Sequence, residues 1–295
     1  MKSRFLAACI QLNSKREIEA NITETLGLVN EAGERGAEFI TLPECTAMME
    51  PDSNLLKEKA PYEKDNPVLS AIRKQAVTTG AWILIGSLAI RLPGNQIVNR
   101  SYLIDEKGEI AATYDKIHMF DVQLDDGQTY RESETYKPGT EAVLTELPWG
   151  RLGLTICYDI RFAYLYRTLA QNGAHFITVP SAFTKVSGVA HWHVLQRARA
   201  IETGCYIISA AQCGDHAEGR QTYGHSLIVD PWGKILADGG EETGVIVAEI
   251  DPHQIDSARK KIPALSHDRR YKLSSDLRLS LIHISEPTRL GMISY

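Results

Sequence analysis

Cys157 ends the run Arg151-Leu152-Gly153-Leu154-Thr155-Ile156 and precedes the mixed polar segment Tyr158-Asp159-Ile160-Arg161-Phe162. The run is apolar and β-branched near its end, as in a short strand. Ala163 to Asn172 then carries Leu165, Thr168 and Leu169 at helical spacing. Cys157 is therefore expected in a tight turn between a strand and a helix. Such a turn exposes the sulfur, and the free N–H groups of the following helix favour the thiolate. Most free cysteines are instead small buried apolar residues, and this stretch alone leaves both readings open.

A thiolate that attacks an acyl carbon needs a base, and the acyl oxygen needs donors. Three residues could supply them. Glu44 follows Thr41-Leu42-Pro43 at a strand end, Lys116 follows Tyr114-Asp115 just after a hairpin strand, and Glu132 lies in Tyr130-Arg131-Glu132-Ser133. Taken singly, each also reads as a solvated charge.

The elements that must position these residues come from periodicity. Arg4 to Gln11 reads as a strand. Ser14 to Arg35 reads as a helix, with Ser14 as N-cap, Glu17 three residues on, and apolar residues at 18, 22, 26 and 29. Phe39 to Leu42 is a buried-type strand, Asn66 to Thr79 a helix, and Ala81 to Ile90 an apolar strand. Val98 to Asp105 and Glu109 to Tyr114 form a hairpin around Lys107-Gly108. Asp115 to Gly139 lacks periodicity, as functional loops often do. In the second half, strand 152–156, helix 163–172, strand 175–179 and helix 189–203 follow. Strands near 205–211, 223–230, 234–237 and 244–250 come next, and a helix opened by Asp251-Pro252 ends before Pro263.

An internal echo organises this order. Gly36-Ala37-Glu38-Phe39-Ile40-Thr41-Leu42-Pro43 and Gly173-Ala174-His175-Phe176-Ile177-Thr178-Val179-Pro180 are identical at six of eight positions. Each follows a strand and a helix. Two similar halves packed as one domain are expected, with Glu44 and Ser181 at equivalent strand ends. Helices lie outside and sheets inside, an α/β arrangement.

The bulk properties narrow the classes of function. The 295 residues carry a net charge of -5 with no basic block, which gives nucleic-acid or membrane-surface binding no electrostatic support. No apolar run is long enough to span a bilayer. Cys9, Cys45, Cys157, Cys205 and Cys213 are odd in number and widely spaced, with no C-x-x-C. A disulfide framework is not expected, and a reducing cytoplasm fits. His191 and His193 flank Trp192, but i, i+2 spacing turns their rings to different helix faces, so no metal site is expected. One domain is expected over residues 1–273. The tail 274–295 breaks the pattern and reads as appended, vector-derived sequence, or else as a native arm covering a partner subunit.

Leu42-Pro43-Glu44, Tyr114-Asp115-Lys116-Ile117-His118 and Gly153-Leu154-Thr155-Ile156-Cys157-Tyr158-Asp159-Ile160-Arg161-Phe162 resemble, in order and spacing, the three signature segments of the nitrilase superfamily of carbon–nitrogen hydrolases. Pro180-Ser181-Ala182-Phe183, His191-Trp192 through Glu202, and Tyr223-Gly224-His225-Ser226 through Asp230-Pro231-Trp232-Gly233 extend the resemblance to about Arg4–Lys272. Within the superfamily the chain resembles the Nit-type amidases, the deaminated-glutathione amidase branch above all.

The resemblance implies a four-layer α-β-β-α sandwich that pairs as a homodimer, or a higher homo-oligomer, through the helix faces flanking the catalytic turn. It implies Cys157 as nucleophile, Glu44 as general base, Lys116 as oxyanion donor, and Glu132 as the group orienting the lysine. It implies no metal or organic cofactor. The implied reaction is hydrolysis of a small carboxylate-bearing amide to acid and ammonia through a cysteine thioester, with deaminated glutathione as the foremost substrate. An ω-amide, nitrile or N-carbamoyl amine substrate, or a silent scaffold, are the alternatives. Arg161, four residues past Cys157, is the preferred partner of a substrate carboxylate. Arg197 and Arg199 read better as braces through Glu202, and Tyr158 and Phe183 as pocket walls. Ala163 stands where the family usually has proline, which predicts a softer helix start.

Overall fold

Phe5, Ala7 and Cys9 face one side of the first strand, and Ala8 and Ile10 face the other, yet all five are buried. A strand apolar on both faces belongs in the middle of a covered sheet, and the computed structural model places it there. It describes residues 4–124 and 129–272. The elements of the first half are β1 (Phe5–Gln11), α1 (Ile18–Glu34), β2 (Phe39–Thr41), α2 (Ser53–Lys59), α3 (Pro67–Thr79), β3 (Trp82–Arg91), β4 (Ile97–Ile104) and β5 (Ile110–Asp115). A hairpin of β6 (Asp121–Gln123) and β7 (Thr129–Arg131) follows, then β8 (Val143–Leu147), β9 (Gly150–Leu154), α4 (Ala163–Gln171), β10 (Phe176–Thr178) and α5 (Lys185–Thr203). The chain continues with β11 (Tyr206–Ser209), β12 (Cys213–Asp215), β13 (Gln221–Tyr223), β14 (Leu227–Val229), β15 (Ile235–Asp238), β16 (Gly244–Ile250) and α6 (His253–Lys261).

Two six-stranded sheets result, ordered β16-β1-β2-β3-β4-β5 and β8-β9-β10-β11-β14-β15. In each, three central strands run parallel and the flanking strands antiparallel. The echoed segments are the middle parallel strands, β2 and β10, so the two halves do repeat one plan. Phe5, Phe39, Leu84 and Leu103 of the first sheet share one core with Leu152, Phe176, Tyr206 and Ile208 of the second. Val29, Ile72 and Ala76 of α1 and α3 cover the first sheet's outer face over Ala8, Ile40 and Ile83. Leu165, Leu169, Trp192 and Ala200 of α4 and α5 cover the second. The layers are α, β, β, α.

Several local expectations fail for tertiary reasons. Helix α1 starts at Ile18, after Glu17, with no side-chain cap. Ser14 is not its cap, because it is buried and committed elsewhere. Its N–H donates to Gln212 Oε1 at 2.9 Å, and its Oγ accepts from Gln212 Nε2 at 2.8 Å. Helix α5 starts four residues before the expected 189. The strand expected over 223–230 is split, because Gly224 and His225 both take positive φ; β13 pairs with β12, and only β14 enters the large sheet. Strand β8 and helix α2 lie where no element was expected. Ala163 is the first residue of α4. The tail, 274–295, lies outside the described residues.

Candidate active site

Glu44 leaves the end of β2 in a turn that only close backbone approach allows. A Cβ on Gly86 would lie 2.1 Å from Leu42 O, so glycine there lets β3 come against the turn. The β3–β4 register shifts at this point, and the bulged Ser87 serves the turn. Its Oγ accepts the Cys45 N–H at 3.0 Å, and its carbonyl accepts the Thr46 N–H at 3.1 Å. From the other half, Gln212 Nε2 donates to Glu44 O at 2.9 Å. The Glu44 carboxylate is thereby held under both sheets, only 4% exposed.

Lys116 continues β5 by one residue, and its N–H pairs with Asn99 O on β4 at 2.9 Å. This register brings Asn99 and Lys116 side by side. Lys116 Nζ donates to Glu44 Oε1 at 2.8 Å and to Glu132 Oε1 and Oε2 at 2.9 and 2.8 Å. Asn99 Nδ2 bridges the same carboxylates at 3.1 and 3.3 Å. The second Glu44 oxygen accepts the Ala182 N–H at 2.9 Å, and Glu132 Oε2 accepts the Phe120 N–H at 2.6 Å. Every carboxylate oxygen therefore has a donor, as burial demands. Burial favours the neutral forms, but the mutual charges outweigh it. Lys116 pulls the Glu44 carboxyl below its usual range, and Glu132 and Glu44 push the Lys116 ammonium well above its own.

Cys157 opens a single 3₁₀ turn, Cys157–Arg161, with φ of +46°. Such a conformation in a non-glycine residue is held only by its surroundings. The chief holder is Asp159, fully buried. It accepts the Ile156 N–H at 2.8 Å, the Tyr114 hydroxyl at 2.7 Å, and the His118 N–H and ring Nδ1 at 3.1 and 2.7 Å. One carboxylate thus ties the cysteine turn to the residues on both sides of Lys116. Pro180 O accepts the Cys157 N–H at 2.9 Å, and Arg199 Nε donates to Ile160 O at 2.7 Å.

The thiol departs from the sequence expectation. It is 7% exposed rather than open. Burial, and then the Glu44 carboxylate, push its pKa well above the ordinary thiol value, against the pull of Lys116. The helix-terminus effect assumed from sequence is outweighed by burial and then by the neighbouring Glu44 carboxylate. The resting pair is a neutral thiol and an ionised base.

A cavity of about 380 Å³ opens over Glu44, Lys116, Glu132 and Cys157, with Tyr158 and Phe183 in its wall. Arg161 is not among the cavity-lining residues. The 3₁₀ turn carries it behind the wall, 5.8 and 5.3 Å from the Tyr158 and Phe183 rings and 3.3 Å from His191 Nδ1. The arginines that do line the cavity are Arg131 and Arg220. Arg199 braces Glu202 at 2.8 Å as expected, whereas Arg197 holds Gly233 O at 2.8 Å instead.

This constellation can be set beside known proteins. The family model for carbon–nitrogen hydrolases matches residues 6–260. The chain belongs to the carbon–nitrogen hydrolases. It is 38% identical over 265 residues to the deaminated glutathione amidase of Yersinia enterocolitica, covering 89% of this chain and 92% of that protein. The crystal structure of Caenorhabditis elegans NitFhit aligns with a TM-score of 0.86 at 37% identity, over 91% of this chain and 66% of that one. Saccharomyces cerevisiae Nit3, a member of branch 10 of the nitrilase superfamily, aligns with a TM-score of 0.83 at 29% identity, over 92% and 98%. The four-layer sandwich is the fold of this carbon–nitrogen hydrolase and of these relatives.

Asn99, Asp159, Gly86 and Arg220 were given no role from sequence. Asp159 sat inside the quoted motif, and its position two residues past the cysteine was the available signal. Away from the cavity, His193, His225 and Asp238 bring possible ligand atoms within 4.8 Å of one another. Both rings are hydrogen-bonded to the carboxylate, at 3.0 and 2.8 Å, which ties α5 to the end of β15.

Proposed function

We propose that this carbon–nitrogen hydrolase is an amidase that cleaves a small carboxylate-bearing amide through a thioester on Cys157. The observation that carries the reading is the Cys157 thiol, the Glu44 carboxylate and the Lys116 ammonium on one cavity, with Lys116 Nζ 2.8 Å from Glu44 Oε1. Glu44 takes the thiol proton as the sulfur attacks the amide carbon. The oxyanion falls to Lys116 Nζ and to the Tyr158 N–H, in the first turn of the 3₁₀ segment where backbone donors lack intrahelical acceptors.

Lys116 has three N–H groups and three carboxylate oxygens within 2.9 Å. Protonating Glu44 removes the charge that holds one of them, which frees that N–H for the oxyanion formed in the same step. Glu132 keeps the other two in place. Glu44 then gives its proton to the leaving nitrogen, takes one from water, and returns it to the thiolate when the thioester opens. Tyr158 and Phe183 shape the cavity wall. None of these steps requires a cofactor.

Deaminated glutathione is the foremost substrate, supported by the amidases of that name at 38–40% identity. One earlier expectation changes with it. That substrate is a secondary amide, so its leaving group is an amine and not ammonia. The test is a panel of deaminated glutathione, α-ketoglutaramate, simple aliphatic amides, nitriles and N-carbamoyl amines, with acid and amine or ammonia both quantified. Turnover of deaminated glutathione in preference to the rest is expected. Preference for nitriles or N-carbamoyl amines would replace the substrate assignment.

The assembly we propose is a homodimer through α4 and α5, supported by exposed Tyr164, Val189, Val194 and Ile201 on those helices. We place the protein in the cytoplasm, in keeping with five free cysteines. Among the described residues no helix is long and apolar enough to cross a membrane.

A further inference from the structure

Arg220 sits at the start of β13, one residue after a tight turn over Ala217–Gly219. Its guanidinium lines the same cavity as Cys157 and Lys116. Among the described residues, Lys116 is paired twice over, whereas Arg220 has no carboxylate within ion-pair distance. Among the described residues its buried Nε has no hydrogen-bond partner. A buried donor left unmade is unfavourable, and more so when charged. That Nε is closed off; what the half-buried Arg220 offers the cavity is the rest of its guanidinium, whose charge has no carboxylate partner among the described residues.

The side chain is held in place without being satisfied. Nη2 donates to Ala182 O at 3.3 Å, and the guanidinium carbon lies 5.6 Å from the Tyr130 ring centre. Its own carbonyl accepts the His216 N–H at 2.8 Å, and the His216 ring bonds Ser14 O and Thr222 Oγ1 at 3.1 and 2.7 Å. Ala182 also gives its N–H to Glu44. One residue therefore spans the distance between the Arg220 guanidinium and the base.

We propose that Arg220 binds a carboxylate of the substrate and selects amides that carry one. This rests on the amidase reading of the cavity. The charge balance of the reacting cluster favours such a group. Two carboxylates and one ammonium at the Glu44, Glu132 and Lys116 cluster leave one negative charge, which repels an incoming anion. A guanidinium on the same cavity offsets that repulsion and meets a carboxylate with two parallel N–H groups. Arg131, the other cavity arginine, is exposed, so water already solvates its charge.

The test separates binding from turnover. Calorimetry measures deaminated glutathione and its dimethyl ester on Cys157→Ala, with and without Arg220→Gln or Arg220→Lys, and thermal melts check that each variant is folded. Arg220→Gln is expected to weaken the acid about ten- to a hundredfold more than the ester, with Arg220→Lys in between. In the Cys157-containing protein the same change should raise KM for the acid while kcat moves little. Equal weakening of acid and ester, no weakening, or no binding of the acid would overturn the proposal. Arg220-dependent binding of the acid by a protein that hydrolyses nothing would instead retire the amidase reading and leave the carboxylate site standing.

Discussion

Cys157 and Glu44 stand in a relation that a pH experiment can read. Burial, and then the Glu44 charge, hold the thiol proton on, while Lys116 favours the thiolate. Glu44→Gln should therefore lower the pH at which Cys157 titrates, followed by thiolate absorbance against Cys157→Ala. The same variant should lose about 10²–10⁴ in turnover, because the base is gone. A merely structural glutamate would not give a more acidic thiol together with a slower enzyme. Glu44 has a folded pKa below its ordinary 4.5. Its contribution to stability is present above that value and is lost as pH falls through the lower folded one. Acid denaturation profiles of wild type and Glu44→Gln should accordingly converge only below about pH 4.5.

At the scale of elements, the site depends on turns that pack against each other. Asp159 accepts from three segments at once, the Ile156 peptide, Tyr114 on β5, and His118. Asp159→Asn places an amide N–H₂ against those donors. It should destabilise the fold by about 2–4 kcal/mol in denaturant titration and remove activity before the fold is lost. This is also where the sequence was least legible. The strand–turn–helix around Cys157 could be read from β-branched residues followed by helical spacing. The echo of β2 and β10 exposed the repeated plan. Asn99 carried no signal, because its role comes from a cross-strand register that pairs it with Lys116. Arg161 looked suitable by spacing; its guanidinium lies against the Tyr158 and Phe183 rings, and it is not among the cavity-lining residues. Ser14 had a good local signature, overridden by Gln212 from 198 residues away.

For the whole molecule, the two halves contribute different parts to one cavity. Glu44, Lys116 and Glu132 come from the first, Cys157 from the second, and Asp159 and Gln212 join them. The outer face of α5 carries exposed Val189 and Val194, beside the helix that follows the cysteine turn. Val194→Glu should convert the proposed dimer to monomer in light scattering, since a charge in an apolar contact has no partner. An unchanged mass would place the interface elsewhere.

The central claim is that amide hydrolysis proceeds through the Cys157 sulfur. The measurement is the rate of deaminated glutathione hydrolysis by wild type and Cys157→Ala, side by side at one pH. The account predicts a loss of about 10⁴-fold or more in the variant, as for removal of other covalent nucleophiles. Hydrolysis at the wild-type rate in Cys157→Ala would contradict it.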